Sequence, residues 1–474
     1  MPDLVGFRES RVMTSYLLTL SSCLALGLAA PAFAQTVSDQ PSPPDAPPLA
    51  QPSTTDKLSD ETAAPAPGKF KRYDDLSMKG WDTPFPKTQD TILGDKFGIR
   101  DAMADAGFSM ILGVTSNFQY DLLQNDGRYH GPQLYNGQRF TRTNTHFTLL
   151  GAWDLGQIGV DNGQIGFTMG NRSTSFQKVN GPNRWRVGRI NYYQQLFGGK
   201  LEIKLGINDN SQEFFGTTVG GDFATGSLGP LASIPYQVGV SYDSFSSPTL
   251  VVRINFEDHF YEKAAVQRSL PPGGAAAEIA VNPSGFTFAP HGTGVLGIEE
   301  FGYNRPSAPG VKSMWFRAGG IFNTTRFNRY DGSGTTNNWA LFAAIDRQFT
   351  QPDQSKPFRG VYGGLTYNRA PSAQNLVTDY YEGRIYGIGL LPGRPFDLAS
   401  LVATYTGYGS VARAALTKPG ERNFAQTETI IGSYGYRLGA GLYLQPGLGV
   451  TIHPLFSPRF GTALNAYLGV TALF

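Results

Sequence analysis

The chain has a single cysteine among its 474 residues, Cys23. Nothing after it can form a disulfide, so the ordered part has to be held by packing and backbone pairing alone. Charged residues are scarce, at 16%, and the formal net charge is +2, which gives no basic field for a nucleic-acid partner. No apolar run of about 18 residues occurs after Ala34, which excludes helical membrane spans. Catalytic and metal-binding spacings are missing too. His130, His146, His259, His291 and His453 show no ligand spacing, and there is no G-x-S-x-G or Walker-type loop, so no enzyme, cofactor or metal site is expected.

What is present begins with export. Arg8 and Arg11 precede an apolar run, Val12 to Ala34, that ends in Ala32-Phe33-Ala34, the pattern of a signal peptide over residues 1–34 with the mature chain starting near Gln35. Met1 and Met13 both serve as starts in this reading. Leu20-Ser21-Ser22-Cys23 loosely matches a lipoprotein cleavage site, but cutting there would strand Leu24 to Phe33 on the mature end. Residues 35–75 are rich in Pro, Ala, Ser, Thr and Asp, a composition too poor in apolar surface to offset its ordering entropy, and are expected to form a disordered linker. Residues 76–106 read as a periplasmic segment with a short helix near Phe97 to Ala106, stopped by Gly107.

From residue 107 to 474 the pattern has a period of two. At the C-terminus Leu464, Ala466, Leu468, Val470, Ala472 and Phe474 share one parity, and Asn465, Gly469 and Thr471 the other. Segments of this kind recur at about 108–120, 142–154, 162–171, 185–196, 200–209, 235–243, 249–257 and 293–304. Eight more fall near 312–324, 337–349, 360–369, 379–390, 397–408, 425–437, 441–453 and 461–474. Links after even-numbered segments are short, as in Leu155 to Asp161, Phe197 to Lys200 and Ser244 to Pro248. Links after odd-numbered ones are longer, as in Leu122 to Gln138, Asn210 to Pro230 and Asp258 to His291. The alternation of tight turns and long loops predicts an all-β fold: a transmembrane antiparallel β-barrel of about 16 strands, preceded by a short N-terminal helix. A barrel of that size leaves an aqueous channel. Known outer-membrane enzymes use smaller barrels, and no plug domain of the length a 22-strand receptor needs is present.

Three stretches carry a likeness to a known family. They are the Gly98-Ile99-Arg100-Asp101 helix, Tyr192 to Phe197 leading by a tight turn into Leu201 to Gly206, and GIGLLPGRPFD from Gly387 to Asp397. With Leu444-Gln445-Pro446 and the last strand, the region from Trp81 to Phe474 resembles the carbohydrate-selective porins of the OprB type. The resemblance implies an outer-membrane barrel through which sugars such as glucose diffuse. One departure is Gly432, where the family pattern near Glu428 carries a second acidic residue.

Strand parity assigns a channel face. With Leu201, Ile203, Leu205 and Ile207 outward, Glu202, Lys204 and Asn208 point inward. The same reasoning turns Arg253, Asn255 and Glu257 inward, then Trp315 and Arg317, then Glu382, Arg384 and Tyr386. Between Arg184 and Gln195 either parity leaves an arginine facing lipid. Both signs of charge beside aromatic rings suit a weak site for neutral polyols, whereas a ring of one sign would favour ions; small organic acids are the alternative solutes. The expected partners are outer-membrane lipid, small sugars and the barrel-assembly machinery, which would read Phe474 as its signal. Monomer and homo-oligomer are both open.

Overall fold

The computed structural model describes residues 70–82, 86–124, 133, 135, 137–175, 182–215, 233–242, 245–457 and 460–474. The signal segment, and the linker as far as residue 69, lie outside the described residues. The first elements are two short helices, α1 (Lys71–Asp74) and α2 (Ile99–Asp105). Strands follow as β1 (Phe108–Asp121), β2 (Thr141–Asp154), β3 (Gly163–Thr174), β4 (Pro182–Leu196) and β5 (Leu201–Asn208). Helices α3 (Asn210–Phe214) and α4 (Ser233–Gln237) separate these from β6 (Ser247–Asn255) and β7 (Phe260–Arg268). After α5 (Gly274–Val281) come β8 (Val295–Arg305), β9 (Met314–Asn328), β10 (Thr335–Gln348), β11 (Gly360–Arg369), β12 (Val377–Ile388) and β13 (Leu398–Tyr408). Helix α6 (Ser410–Leu416) precedes β14 (Gln426–Gly439), β15 (Leu442–Ile452) and β16 (Ala463–Leu473).

Each strand pairs antiparallel with its sequence neighbours, and β1 pairs with β16 to close a barrel of sixteen strands. Closure leaves no unpaired edge, which a sheet in lipid requires. The two-residue period is visible in exposure. Leu205, Leu365, Ile385, Ile430 and Leu448 are exposed outward, while Lys204, Tyr386, Ile431 and Asn465 are buried on the inner face. Aromatic pairs such as Phe108 with Trp153 and Phe260 with Phe301 stack on the outside near the turns, as a membrane-interface girdle does. At the end of the chain Phe474 donates its amide to the Leu112 carbonyl at 2.8 Å and accepts from Leu112 N at 3.2 Å, extending the seam. Among the described residues no helix is long and apolar enough to cross a membrane.

The strand count of sixteen is right, although two segments are exchanged. Residues 235–243, expected as a strand, form the end of α4 and a turn inside the barrel. Tyr236, Val238, Val240 and Tyr242 do alternate, but all four are buried, because residues 233–242 lie inward and pack against the wall. Phe215 meets Phe342 of β10 edge-on at 4.8 Å, and Gln237 accepts from the amides of Leu376 and Val377 at 3.0 and 2.9 Å. The real strand missed by periodicity is β7, placed within a loop from Asp258 to His291. Glu262 sits in its outward parity between Phe260 and Ala264 and interrupts the apolar pattern. The expected short link from Ser244 to Pro248 therefore does not join two barrel strands. The turn is at Glu257–His259, where Asp258 and His259 both take positive φ, and Glu257 lies exposed in it rather than on an inward-facing strand.

The unregistered stretch also has a physical cause. In β4 the partner of Thr168 is Arg189 and the partner of Met169 is Val187, so Gly188 is an extra residue, a β-bulge. The bulge flips the parity, which lets Arg186 and Arg189 both face inward although their numbers differ by three. A Cβ at Gly188 would lie 2.5 Å from Thr168 Oγ1, so a larger residue there would force the Thr168 side chain into another rotamer.

Candidate functional site

On the inner wall from β4 to β9 several charged side chains form a connected network, while Arg268 of β7 pairs apart from it with Glu278 of α5 at 2.7 Å. Lys204 of β5 donates to Glu213 of α3 at 2.6 Å and also to the Gly80 carbonyl. Arg189 approaches the same Glu213 at 3.4 Å. Burial alone would push the Glu213 carboxyl up, but Lys204, Arg189 and Lys263 outweigh it and hold the group below the usual carboxylate range. Glu202 accepts from the Tyr193 hydroxyl at 3.1 Å and from Asn255 at 2.8 Å. In the paired register Glu202 stands opposite Arg253.

Arg253 and Lys263 converge on Asp82, a residue ahead of the barrel, with Lys263 Nζ at 2.6 Å. Lys263 also reaches Glu300 of β8 at 3.2 Å, and the Tyr261 hydroxyl donates to Glu300 at 2.9 Å. Trp315 Nε1 donates to the same hydroxyl at 3.1 Å. The Arg317 guanidinium lies 4.1 Å from the Trp315 ring and the Arg253 guanidinium 4.0 Å from the Tyr261 ring, both stacked as cation–π pairs.

A second cluster lies farther round, on β10 to β12. Arg384 bridges two carboxylates, Asp346 at 2.5 and 2.9 Å and Glu382 at 2.7 Å, and donates to Thr366 at 2.8 Å. Tyr380 donates to Glu382 at 2.6 Å and Tyr386 to Asp346 at 3.0 Å. The Tyr386 ring stacks on Tyr362 at 5.0 Å. All of these groups are buried, where an unpaired charge would be costly, and the pairing offsets that cost.

Of the residues picked from parity, Glu202, Lys204, Arg253, Trp315 and Arg317 fall in or beside the first network and Glu382, Arg384 and Tyr386 in the second. Glu257 joins neither. The structure adds Arg189, Lys263, Glu300, Asp346, Glu213 and Asp82. Asp346 had a readable signal, the inward parity it shares with Phe342 and Ala344. Glu300 had none, because Glu299 and Glu300 occupy both parities. Glu213 and Asp82 lie off the strands, where no period applies. Gly432 has the outward parity of Ile430, so the departure there does not touch the inner wall.

The N-terminal approach to the barrel belongs to this geometry. Residues 76–82, read from the sequence as part of a periplasmic segment, run along the inner wall of β3 to β7. Gln164 of β3 donates to the carbonyls of Leu76 and Ser77 at 3.2 and 3.1 Å and accepts from Lys79 N at 2.9 Å. Arg189 covers the Trp81 ring at 4.2 Å. Farther along, Asp90 receives Arg437 of β14 at 2.8 Å, and Ile92 N donates to the Leu473 carbonyl at 2.8 Å.

The sequence profile described as carbohydrate-selective porin, OprB family, matches residues 156–471. No curated protein matches the sequence significantly. Among solved structures, the high-pH structure of Pseudomonas putida OprB is similar with a TM-score of 0.68 at 16% identity, covering 81% of this chain and 98% of that one. The low-pH structure of the same protein has a TM-score of 0.50 at 14% identity over the same shares. At such identities the likeness concerns the fold.

Proposed function

We propose a passive sugar channel, starting from the fact that the chain belongs to the carbohydrate-selective porin, OprB family. The porin fold and family place it among outer-membrane channels that pass small solutes. The finer reading is that small carbohydrates, glucose among them, are its solutes. One observation carries it: the inner wall sets charges of both signs next to aromatic rings, as where Arg253, paired with Asp82, stacks on Tyr261 and Arg317 stacks on Trp315. Carboxylates accept from sugar hydroxyls, guanidinium groups donate to them, and a ring stacks against the apolar face of a pyranose. Because charges such as Lys204, Arg253 and Lys263 are already paired, a sugar reaching them exchanges hydrogen bonds rather than filling a vacancy, so binding stays weak enough for release. The export signal over residues 1–34, reading of Phe474 by the barrel-assembly machinery and assembly into homo-oligomers belong to the same reading.

Single-channel recording with a panel of sugars and organic acids tests it. Glucose or a related sugar should block the current reversibly at about millimolar concentration, in keeping with multi-step weak binding. Arg317→Ala should weaken that block. A large conductance indifferent to every sugar but blocked by an organic acid would replace this reading with an anionic-solute porin.

A further inference from the structure

The acid that completes the first network does not come from the barrel. Asp82 is 6% exposed on its side chain and touches Arg253 of β6 and Lys263 of β7 together. Its segment is built into the wall. The Gly80 carbonyl takes the Lys204 ammonium, and Gly80 itself has φ +76° with Tyr193 and Lys204 so near that a Cβ would lie 2.5 and 2.7 Å from them. Arg189 contacts both Trp81 and Met78. Four cations, Arg189, Lys204, Arg253 and Lys263, therefore meet the segment, and without Asp82 two of them would keep only barrel and loop partners.

We infer that Asp82 is a selectivity-determining residue of the channel, supplied by the pre-barrel segment, and that it holds back an anion preference which the β4–β7 wall would otherwise impose. A fixed charge in a narrow aqueous path sets the local concentration of both ions. Asp82 is also a dependable charge. Burial alone would push its carboxyl up, but Lys263 and Arg253 outweigh that and hold it well below the usual carboxylate range.

The test is the zero-current potential of the full-length protein in a planar bilayer under a KCl gradient. A unit charge felt at about 10 Å through water changes each ion's local concentration about twofold, in opposite senses, so Asp82→Asn should raise the chloride-to-potassium permeability ratio about fourfold. Asp82→Glu should hold it near the wild-type value. Lys263→Gln should move the ratio toward potassium, and adding Asp82→Asn to that variant should bring it back. This second pair keeps the comparison available if the single Asp82→Asn variant assembles poorly. An unchanged ratio on removing Asp82, in either background and in channels that conduct, overturns the inference. It rests on the channel reading above, so absence of conductance in every variant and in the wild type would remove both. Indifference to sugars with a shifted ratio would remove the carbohydrate reading alone and support this one.

Discussion

The arc from β4 to β9 and the arc from β13 to β16 are one continuous sheet with opposite inner chemistry. Strands β6 and β14 are eight places apart in a closed ring of sixteen, so the two arcs face each other. The first carries Arg189, Lys204, Arg253, Lys263, Glu300 and Arg317. The second carries hydroxyls and amides that satisfy one another within the wall: Ser400 with Ser433 at 2.8 Å, Gln445 with Ser433 at 3.2 Å, Thr429 with Thr451 at 3.3 Å. Charge needs more. The charged arc draws partners from off the strands, Glu213 from the inward loop and Asp82 from the N-terminal segment. Arg437 of β14 obeys the same rule, since its partner Asp90 also precedes the barrel. In the second arc these neutral groups are completed by the neighbouring strand, whereas Lys204, Arg253, Lys263 and Arg437 take carboxylates from off the strands, and those pairs hold the loop and the segment against the inner wall.

Four experiments press on this contrast. The largest effect belongs to the seam beside the uncharged arc, where Phe474 and Leu112 exchange backbone hydrogen bonds. Deleting Phe474 should remove most of the heat-modifiable folded form on gels, and normal folding in cells would discard the assembly role. Next is Arg384→Ala, which leaves Asp346 and Glu382 buried without their cation. Breaking such a pair costs about 3–5 kcal/mol. The variant should unfold at a visibly lower temperature, and Arg384→Lys should recover only part of the loss, since the bidentate geometry goes. On the uncharged arc Gln445→Ala removes one neutral hydrogen bond, worth about 1 kcal/mol. Sugar block in that variant should stay close to wild type while Arg317→Ala weakens it; equal losses would erase the distinction between the arcs.

The smallest effect is in pH. Asp82 has its pKa depressed in the folded protein, so its stabilising contribution is present above the ordinary carboxylate range and lost only as pH falls toward the lower folded value. Lowering the pH from about 7 to about 4 should therefore leave the Asp82-dependent part of the permeability ratio unchanged, because the ordinary Asp value is near 3.9. Its disappearance by about pH 5 would mean that the pairing with Lys263 and Arg253 does not persist in the working channel.

The sequence carried the barrel well because lipid imposes a strict rule on one face. Leu205, Ile385 and Leu448 are outward because nothing polar is tolerated there, and that alternation survives without any knowledge of partners. It fails where another influence decides the pattern. Tyr236 to Tyr242 imitate a strand because they fill the inside of the barrel. The β7 strand hides because Glu262 lies at its turn end, where water is near. The bulge at Gly188 reverses parity in mid-strand, and no single-period reading follows it. For the site, parity finds side chains that point inward but not those arriving from elsewhere. Asp82 and Glu213 become visible only when the chain is folded.

The two acids of the N-terminal segment give a mechanical consequence. Asp82 is fastened at β6 and β7, Asp90 at β14 and β15 through Arg437 and Tyr443, and seven residues separate them. The segment thus links two opposite parts of the wall, anchored by charge at both, and a hollow cylinder linked in this way resists being squeezed oval. Lateral pressure from the bilayer falls on the ionic anchors as well as on the hydrogen-bonded wall.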